Sequence, residues 1–249
     1  ADPGRYDSLP LNESLELYER LGAPLSAARA RNFLAAIQYA RGDFDAATAG
    51  YEAAAAALRT AGAVEEEATV AGNLAAVRFD RGDYAGAARE FERILARRPA
   101  ELGAPRVGIL QNFAAASSVT GQTERALSAY RESLDIARQL GNDDLLARAL
   151  AGLGVNHARL GHRDLAITYL KDAVAMRRHQ GRAEPLAYAL AQLGDVYQLQ
   201  RDPVRAAAAH RMRTCVWGAI AARSFGLASA RWPRSPTTRP WTWASAGVG

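Results

Sequence analysis

The sequence predicts an all-α fold, an α-solenoid of antiparallel helix pairs, and three periodic features carry that prediction. Glycines recur at Gly42, Gly82, Gly121 and Gly161, and a second set runs out of phase with them at Gly22, Gly62, Gly141 and Gly181, with Gly103 near the missing rung. Small residues recur at Ala47, Ala87, Ala126, Ala166 and Ala206, and four residues beyond each stands a bulkier one: Tyr51, Phe91, Tyr130, Leu170 and, in the last copy, His210. Leu34, Leu74, Phe113, Leu153 and Leu193 share a further phase. The period is about 40 residues, in the range that marks stacked repeats, because one helix pair cannot bury both of its apolar faces alone.

The stretch Leu150–Ala173 shows the unit most plainly. Leu150, Leu153, Gly154 and Leu160 recur at helical spacing, then Leu165, Ala166, Ile167, Leu170 and Ala173 do so again. Gly161 lies between them, where a helix must stop and glycine enters the left-handed conformation cheaply. Taken in order, residues 1–10 read as an N-terminal extension or a cloning scar. Residues 11–22 read as one helix in phase with a second helix, lacking its first-helix partner. The repeats thus begin mid-unit, as in a piece excised from a longer array or a larger protein, or as in a terminal cap. Helix pairs are expected at 25–40 and 43–60, 64–80 and 83–98, 102–119 and 122–140, 143–160 and 163–180, and 183–199 and 202–222. Asp43, Asp83 and Asp202 fall at helix starts, where a carboxylate accepts exposed backbone N–H groups. Glu65-Glu66-Glu67 opens a helix and reads as a solvated turn favoured by the helix dipole. Pro99 and Pro105 punctuate the connection between the second and third pairs.

These units resemble tetratricopeptide repeats. Gly42-Asp43-Phe44, Ala47, Tyr51 and Ala54 match that family's turn and second helix, as do Gly82-Asp83-Tyr84, Ala87 and Phe91. The third copy keeps Gly121, Ala126 and Tyr130 with Thr123 at the turn aromatic, and the fourth keeps Leu153-Gly154, Gly161, Ala166 and Ala173 with Arg163 there. The fifth departs further, with Arg201 in place of the turn glycine. The family's usual period is about 34 residues. The helices here are longer, as in the stretched arrays of signalling scaffolds and actinobacterial transcriptional regulators. The resemblance covers residues 11–210. It implies a right-handed superhelix and a protein that binds other proteins.

Composition bounds the remainder. Apolar residues make up 49% of the 249, enough for a continuous core, and alanine carries much of it. All but Lys171 of the 31 basic residues are arginine, which, with the abundant Ala and Gly, is the codon signature of a GC-rich genome. The start of the chain shows no secretory signal and no stretch is apolar enough to span a bilayer, and the single Cys215 allows no internal disulfide, which points to a cytoplasmic protein. Asn12-Glu13-Ser14 fits a glycosylation sequon that would matter only on secretion. Composition breaks near His210. Residues 211–249 hold six arginines, all four tryptophans and no acid, which leaves 25 basic against 26 acidic side chains in residues 1–210. The irregular segment 223–249 therefore reads as a shifted reading frame in GC-rich DNA. The alternative is a basic tail that binds nucleic acid or a membrane surface.

No catalytic constellation emerges, and neither a cofactor nor a metal is expected. His157 stands where the family has an aromatic and reads as packing, while His162 and His179 lie at helix ends. Gly152-Leu153-Gly154 falls inside a helix and lacks the third glycine of a dinucleotide site. Function is expected instead on the first helices, which in the family line a concave groove. Mapped by phase, the groove presents Arg29, Asn32, Phe33 and Tyr39, then Asn73 and Phe79, then Gln111 and Asn112, then Arg148 and Arg159, and last Tyr188, Gln192 and Asp195. A row of amides donates and accepts at once and so suits the backbone of an extended peptide. The lysines that clamp a C-terminal carboxylate in chaperone-binding relatives are absent. The expected partner is a protein or peptide segment, including one from another domain of the same polypeptide. The sequence leaves the oligomeric state open.

Overall fold

Helices joined mostly by three-residue turns account for residues 9–97, 105–181 and 183–224, the residues described in the computed structural model, and no strand occurs among them. A first helix, α1 (Leu9–Arg20), precedes the pair α2 (Pro24–Ala40) and α3 (Phe44–Thr60). The pairs α4 (Val64–Asp80) with α5 (Tyr84–Leu95) and α6 (Pro105–Val119) with α7 (Thr123–Gln139) follow. The last are α8 (Asp143–Arg159) with α9 (Arg163–His179) and α10 (Ala183–Leu199) with α11 (Pro203–Ser224). The expected spans agree to within three residues at either end, and the largest differences are the end of α5 at Leu95 rather than 98 and the start of α6 at Pro105 rather than 102, with residues 98–104 outside the described residues. Residues 1–8 and most of the proposed tail lie outside the described residues.

One turn geometry is used throughout. The N–H of Asp43 donates to the carbonyl of Gln38 at 2.9 Å, and the same bond across five residues recurs from Asp83 to Arg78, Gln122 to Ser117, His162 to His157 and Asp202 to Tyr197. This closure leaves one residue in the left-handed region. Gly161 supplies it at φ 80 in the fourth pair, but in the fifth Arg201 adopts it at φ 60. Among the described residues, side-chain caps start four of the helices: Asp43 accepts from the N–H of Ala46, Asp83 from that of Gly86, Asn142 from that of Leu145 and Asp202 from that of Arg205.

The helices divide into two compact units at Ile136 and Ala137, inside α7. In the first unit Ala28, Ala35, Ala47, Tyr51, Ala54, Leu58, Val70 and Val77 form a buried cluster. In the second, Leu170, Leu186, Leu190, Leu193 and Tyr197 do so. Although the repeat phase fades after Met212, α11 continues into this second core, where Val216 is buried and Ile220 partly buried. Within each unit the alanine ladder is fully covered, and the bulky residue four positions later is buried in the first four pairs. The helices of the fourth pair approach closely at Gly154. A methyl group there would stand 2.6 Å from Leu170 Cγ and 3.1 Å from the carbonyl oxygen of Ala166. Gly194 plays the same part in the fifth pair, where a methyl would stand 2.6 Å from the ring of His210.

Arginine, with its rigid fork of donors, ties successive pairs together. Arg81 meets Asp45 at 2.8 Å and Arg125 pairs with Glu92, each across two successive pairs, whereas Arg177 meets Asp144 within the fourth pair. The Glu65-Glu66-Glu67 turn corrects the sequence expectation. Glu65 is exposed and Glu66 half-exposed, but Glu67 is not a solvated group. Glu67 is 2% exposed. It accepts from Arg59 at 2.9 Å and from Arg97. Burial pushes its carboxyl up, but the hydrogen bonds from Arg97 and Arg59 prevail and hold it below the usual glutamate value. A cavity of about 270 Å³ opens beside this cluster, with both arginines already committed to the carboxylate.

Candidate functional site

The first helices of the first unit are joined directly, at three heights. Near the start of α2, Arg29 donates through Nε and Nη2 to both oxygens of Glu66 on α4, each at 2.7 Å. In the middle, Asn73 Nδ2 donates to Asn32 Oδ1 at 3.3 Å. Near the end, the Tyr39 hydroxyl donates to Asp80. Burial and that hydrogen bond push the Tyr39 phenol far above its ordinary value, so it stays a donor. On α6, Ile109 lies against Gly72 of α4, where a methyl would stand 3.4 Å from its Cγ1. The first helices α2, α4 and α6 therefore stand side by side along one face of this unit.

The predicted site residues divide by exposure. Phe33, 60% exposed, is the most open apolar group of the face in the first unit. Asn32, Asn73 and Asn112 are half-buried. Arg29 is open to solvent but engaged with Glu66. Tyr39 and Phe79 are less available than their phase suggests. Tyr39 packs on Phe44 with ring centroids 5.9 Å apart, and Phe79 meets Tyr84 edge-on at 4.9 Å. Gln111 departs from the expectation altogether: it is 0% exposed and presents nothing to solvent. It shares the phase of Gly72, one position short of Asn73 and Asn112, and that phase points between helices.

In the second unit, Arg148 and Arg159 are exposed on α8. Tyr188 is 65% exposed on α10, with Gln192 half-buried and Asp195 exposed on the turns that follow. Asp195 lies 3.8 Å from His210 Nε2, which also meets Gln198 at 3.2 Å. His157 is buried, as its packing role requires, stacked on Tyr169 at 5.5 Å with its Nδ1 3.3 Å from that of His162. Sequence reasoning missed Glu66 as the partner of Arg29. The signal was present in two opposite charges 37 residues apart, near the repeat period.

Among the described residues no group of three or more His, Cys, Asp or Glu side chains is placed to hold a metal ion. No helix among them is long and apolar enough to cross a membrane. No curated protein sequence matches the chain. The tetratricopeptide repeat family model matches residues 105–179, across the third and fourth pairs. Those two pairs belong to the tetratricopeptide repeat family. Solved structures carry the same fold over much more of its length. BtubC (BKLC) from P. vanneervenii is 20% identical, with a TM-score of 0.68 over 96% of this chain and 98% of that one. A P. anserina protein of nearly identical TPR-like repeats is 16% identical, with a TM-score of 0.61 over 82% of this chain and 98% of that one. A Rap protein complexed with Competence and Sporulation Factor is 18% identical, with a TM-score of 0.61, and the match covers 84% of this chain but 61% of that one.

Proposed function

We propose that this chain is a non-enzymatic interaction scaffold whose first-helix face holds an extended segment of a protein partner, including one from another domain of the same polypeptide. The observation that carries the reading is the Asn32–Asn73 pair. One amide hydrogen of Asn73 is spent on Asn32. The NH₂ of Asn32 and the carbonyl of Asn73 are then left side by side, a donor beside an acceptor at the half-exposed middle of the face. That is the complement of a peptide unit, which offers one C=O and one N–H. Phe33 supplies open apolar surface next to it. The solved Rap complex, a protein of the same fold with a bound factor, supports the reading by analogy.

The test is a pull-down to identify the partner, then calorimetric titration of two double variants. Asn73→Ala with Asn112→Ala is expected to weaken binding at least tenfold. An unmet hydrogen bond in a desolvated groove costs about 1–3 kcal/mol, and about 1.4 kcal/mol is a factor of ten. Arg211→Ala with Arg213→Ala on α11 is expected to leave it unchanged. If the arginine pair matters and the asparagine pair does not, the scaffold reading fails and the basic end of the chain becomes the functional element.

A further inference from the structure

Two helices of the chain each leave one face open beside a neighbour. α1 packs on α2, and α11 packs on α10. On α1 the partly buried residues are Leu11, Ser14, Leu15 and Tyr18, so Glu13, Glu16, Leu17 and Arg20 fall on the opposite face, and all four are exposed. Leu21 continues the Leu17 side of that face, since its N–H still bonds the carbonyl of Leu17 at 2.9 Å. On α11 Ala206, Ala209 and Val216 are buried, and the opposite face carries Val204, Ala207, Arg211, Cys215 and Gly218, all exposed. Leu17, Leu21 and Val204 are each at least half exposed. The two faces differ in charge. The α1 face presents Glu13 and Glu16, and the α11 face presents Arg211 and no acid. Among the described residues none of these three has an ion-pair partner. The pairs that the two helices do make, Glu19 with Arg31 and Arg205 with Asp202, lie off these faces.

We infer that α11 of one copy of the chain takes α1 of a second copy, so that the protein associates with itself head to tail. The two faces match in one register. Set antiparallel, as successive helices of the chain are, Glu13 falls opposite Arg211 with Glu16 beside it, Leu17 opposite Ala207 and Leu21 opposite Val204. The steps are four and four residues on α1, four and three on α11, so the register holds to about 1.5 Å at the helical rise. Arg20 then comes to the end of α11 where Asp202 lies. Unlike charges meet at one end of the contact and apolar groups at the other, and the small side chain of Ala207 admits Leu17. One helix on one helix buries less than the roughly 1,600 Å² of a standard stable complex. The association is therefore reversible, grows with concentration and weakens with salt. A contact between two different faces leaves one of each free on every pair of copies, so it runs on into a ring or an open chain rather than stopping at two.

The test is sedimentation velocity of the full chain at rising concentration. The mean sedimentation coefficient is expected to rise in low salt and to fall back toward that of the monomer when salt is added. Two variants alter one face each: Glu13→Arg with Glu16→Arg on α1, and Arg211→Glu on α11. All three positions are exposed, so both variants should keep the helical circular dichroism of the parent. Each alone should associate at least tenfold more weakly. Mixed in equal amounts they should associate again, because the unaltered α1 of one meets the unaltered α11 of the other, and the two altered faces attract in the reversed sense. A parent that stays monomeric at every concentration overturns the inference, as does a mixture that stays monomeric. Association that survives Arg211→Glu puts the contact elsewhere, α1 on α1 included, and association that survives the α1 variant makes it α11 on α11. Either result overturns the head-to-tail assignment. A benzophenone carried on Cys215, the single cysteine, one turn beyond Arg211, reads the occupant directly. In a mixture of light and heavy-isotope copies it should crosslink to the first turn of α1 of the other copy. Crosslinks confined to residues 225–249 would make this chain's own basic segment the occupant, and would overturn the assignment to a second copy.

Discussion

Replacing Glu67 by glutamine is expected to lower the unfolding free energy by about 2–3 kcal/mol at neutral pH, one of the two largest single-residue effects anticipated in the molecule. Removing one member of a fully buried ion pair costs about 3–5 kcal/mol, because the other is left charged and unmatched. The figure here is lower because Arg59 keeps most of its exposure and only Arg97 is well covered. Glu66→Gln, by contrast, breaks an exposed pair and should cost about 0.2–1 kcal/mol. Urea midpoints at constant slope separate the two. The pH dependence adds a second reading. The carboxyl of Glu67 titrates below its ordinary value in the folded state, so its contribution is complete above the unfolded pKa of about 4.3 and is lost as pH falls through the folded one. Parent and Glu67→Gln curves should therefore converge in acid. A gap that persists there, or equal midpoints at pH 7, would remove the buried carboxylate from the account of stability.

Ala166→Leu should have an effect of similar size, a loss of about 2–3 kcal/mol, with Ala126→Leu somewhat less costly. Ala166 is wholly buried, and its own backbone carbonyl closes on Gly154. Three added carbons have no space there unless the two helices part, and parting them exposes Leu170. Ala126 is equally buried in its own pair. Ala53→Leu is the control, since Ala53 is exposed on α3 and a leucine there meets solvent. Equal denaturant midpoints for all three variants would show that the alanine ladder does not mark the close approach of the helices.

The fold was legible because it repeats. A glycine that ends a helix and an alanine that admits a neighbour are each weak signals alone, but at a fixed period they fix the number of helices and nearly all of their ends. The exposure of individual side chains was less legible. Phase separated Asn73 from Leu74, yet it could not separate Gln111 from Asn112, because a shift of one residue turns a side chain from the open face into the space between helices. The pairing of charges was also beyond phase alone. Glu66 and Glu67 adjoin in sequence, but the half-exposed Glu66 meets one exposed arginine on α2, and the buried Glu67 meets two arginines from different segments. The partners lie at separations of 37 residues for Arg29, 30 for Arg97 and 8 for Arg59, and periodicity locates such contacts only to within a turn of helix.

Arg201 carries a consequence for how the second unit opens. An L-residue held in the left-handed region gives up roughly 1–2 kcal/mol that glycine does not, so the turn between α10 and α11 begins from a deficit that the turn at Gly161 lacks. Helix pairs in stacked repeats contribute stability one interface at a time, and a deficit confined to one turn lowers the free energy of opening there without melting its neighbours. Amide protons around residues 198–206 should accordingly exchange with solvent ahead of those around residues 158–166. Tyr188 and Asp195 stand exposed on α10, one of the two helices that this turn joins. A ligand that engages them must first keep the pair closed, and part of its binding energy then appears as slower exchange at a turn it never touches.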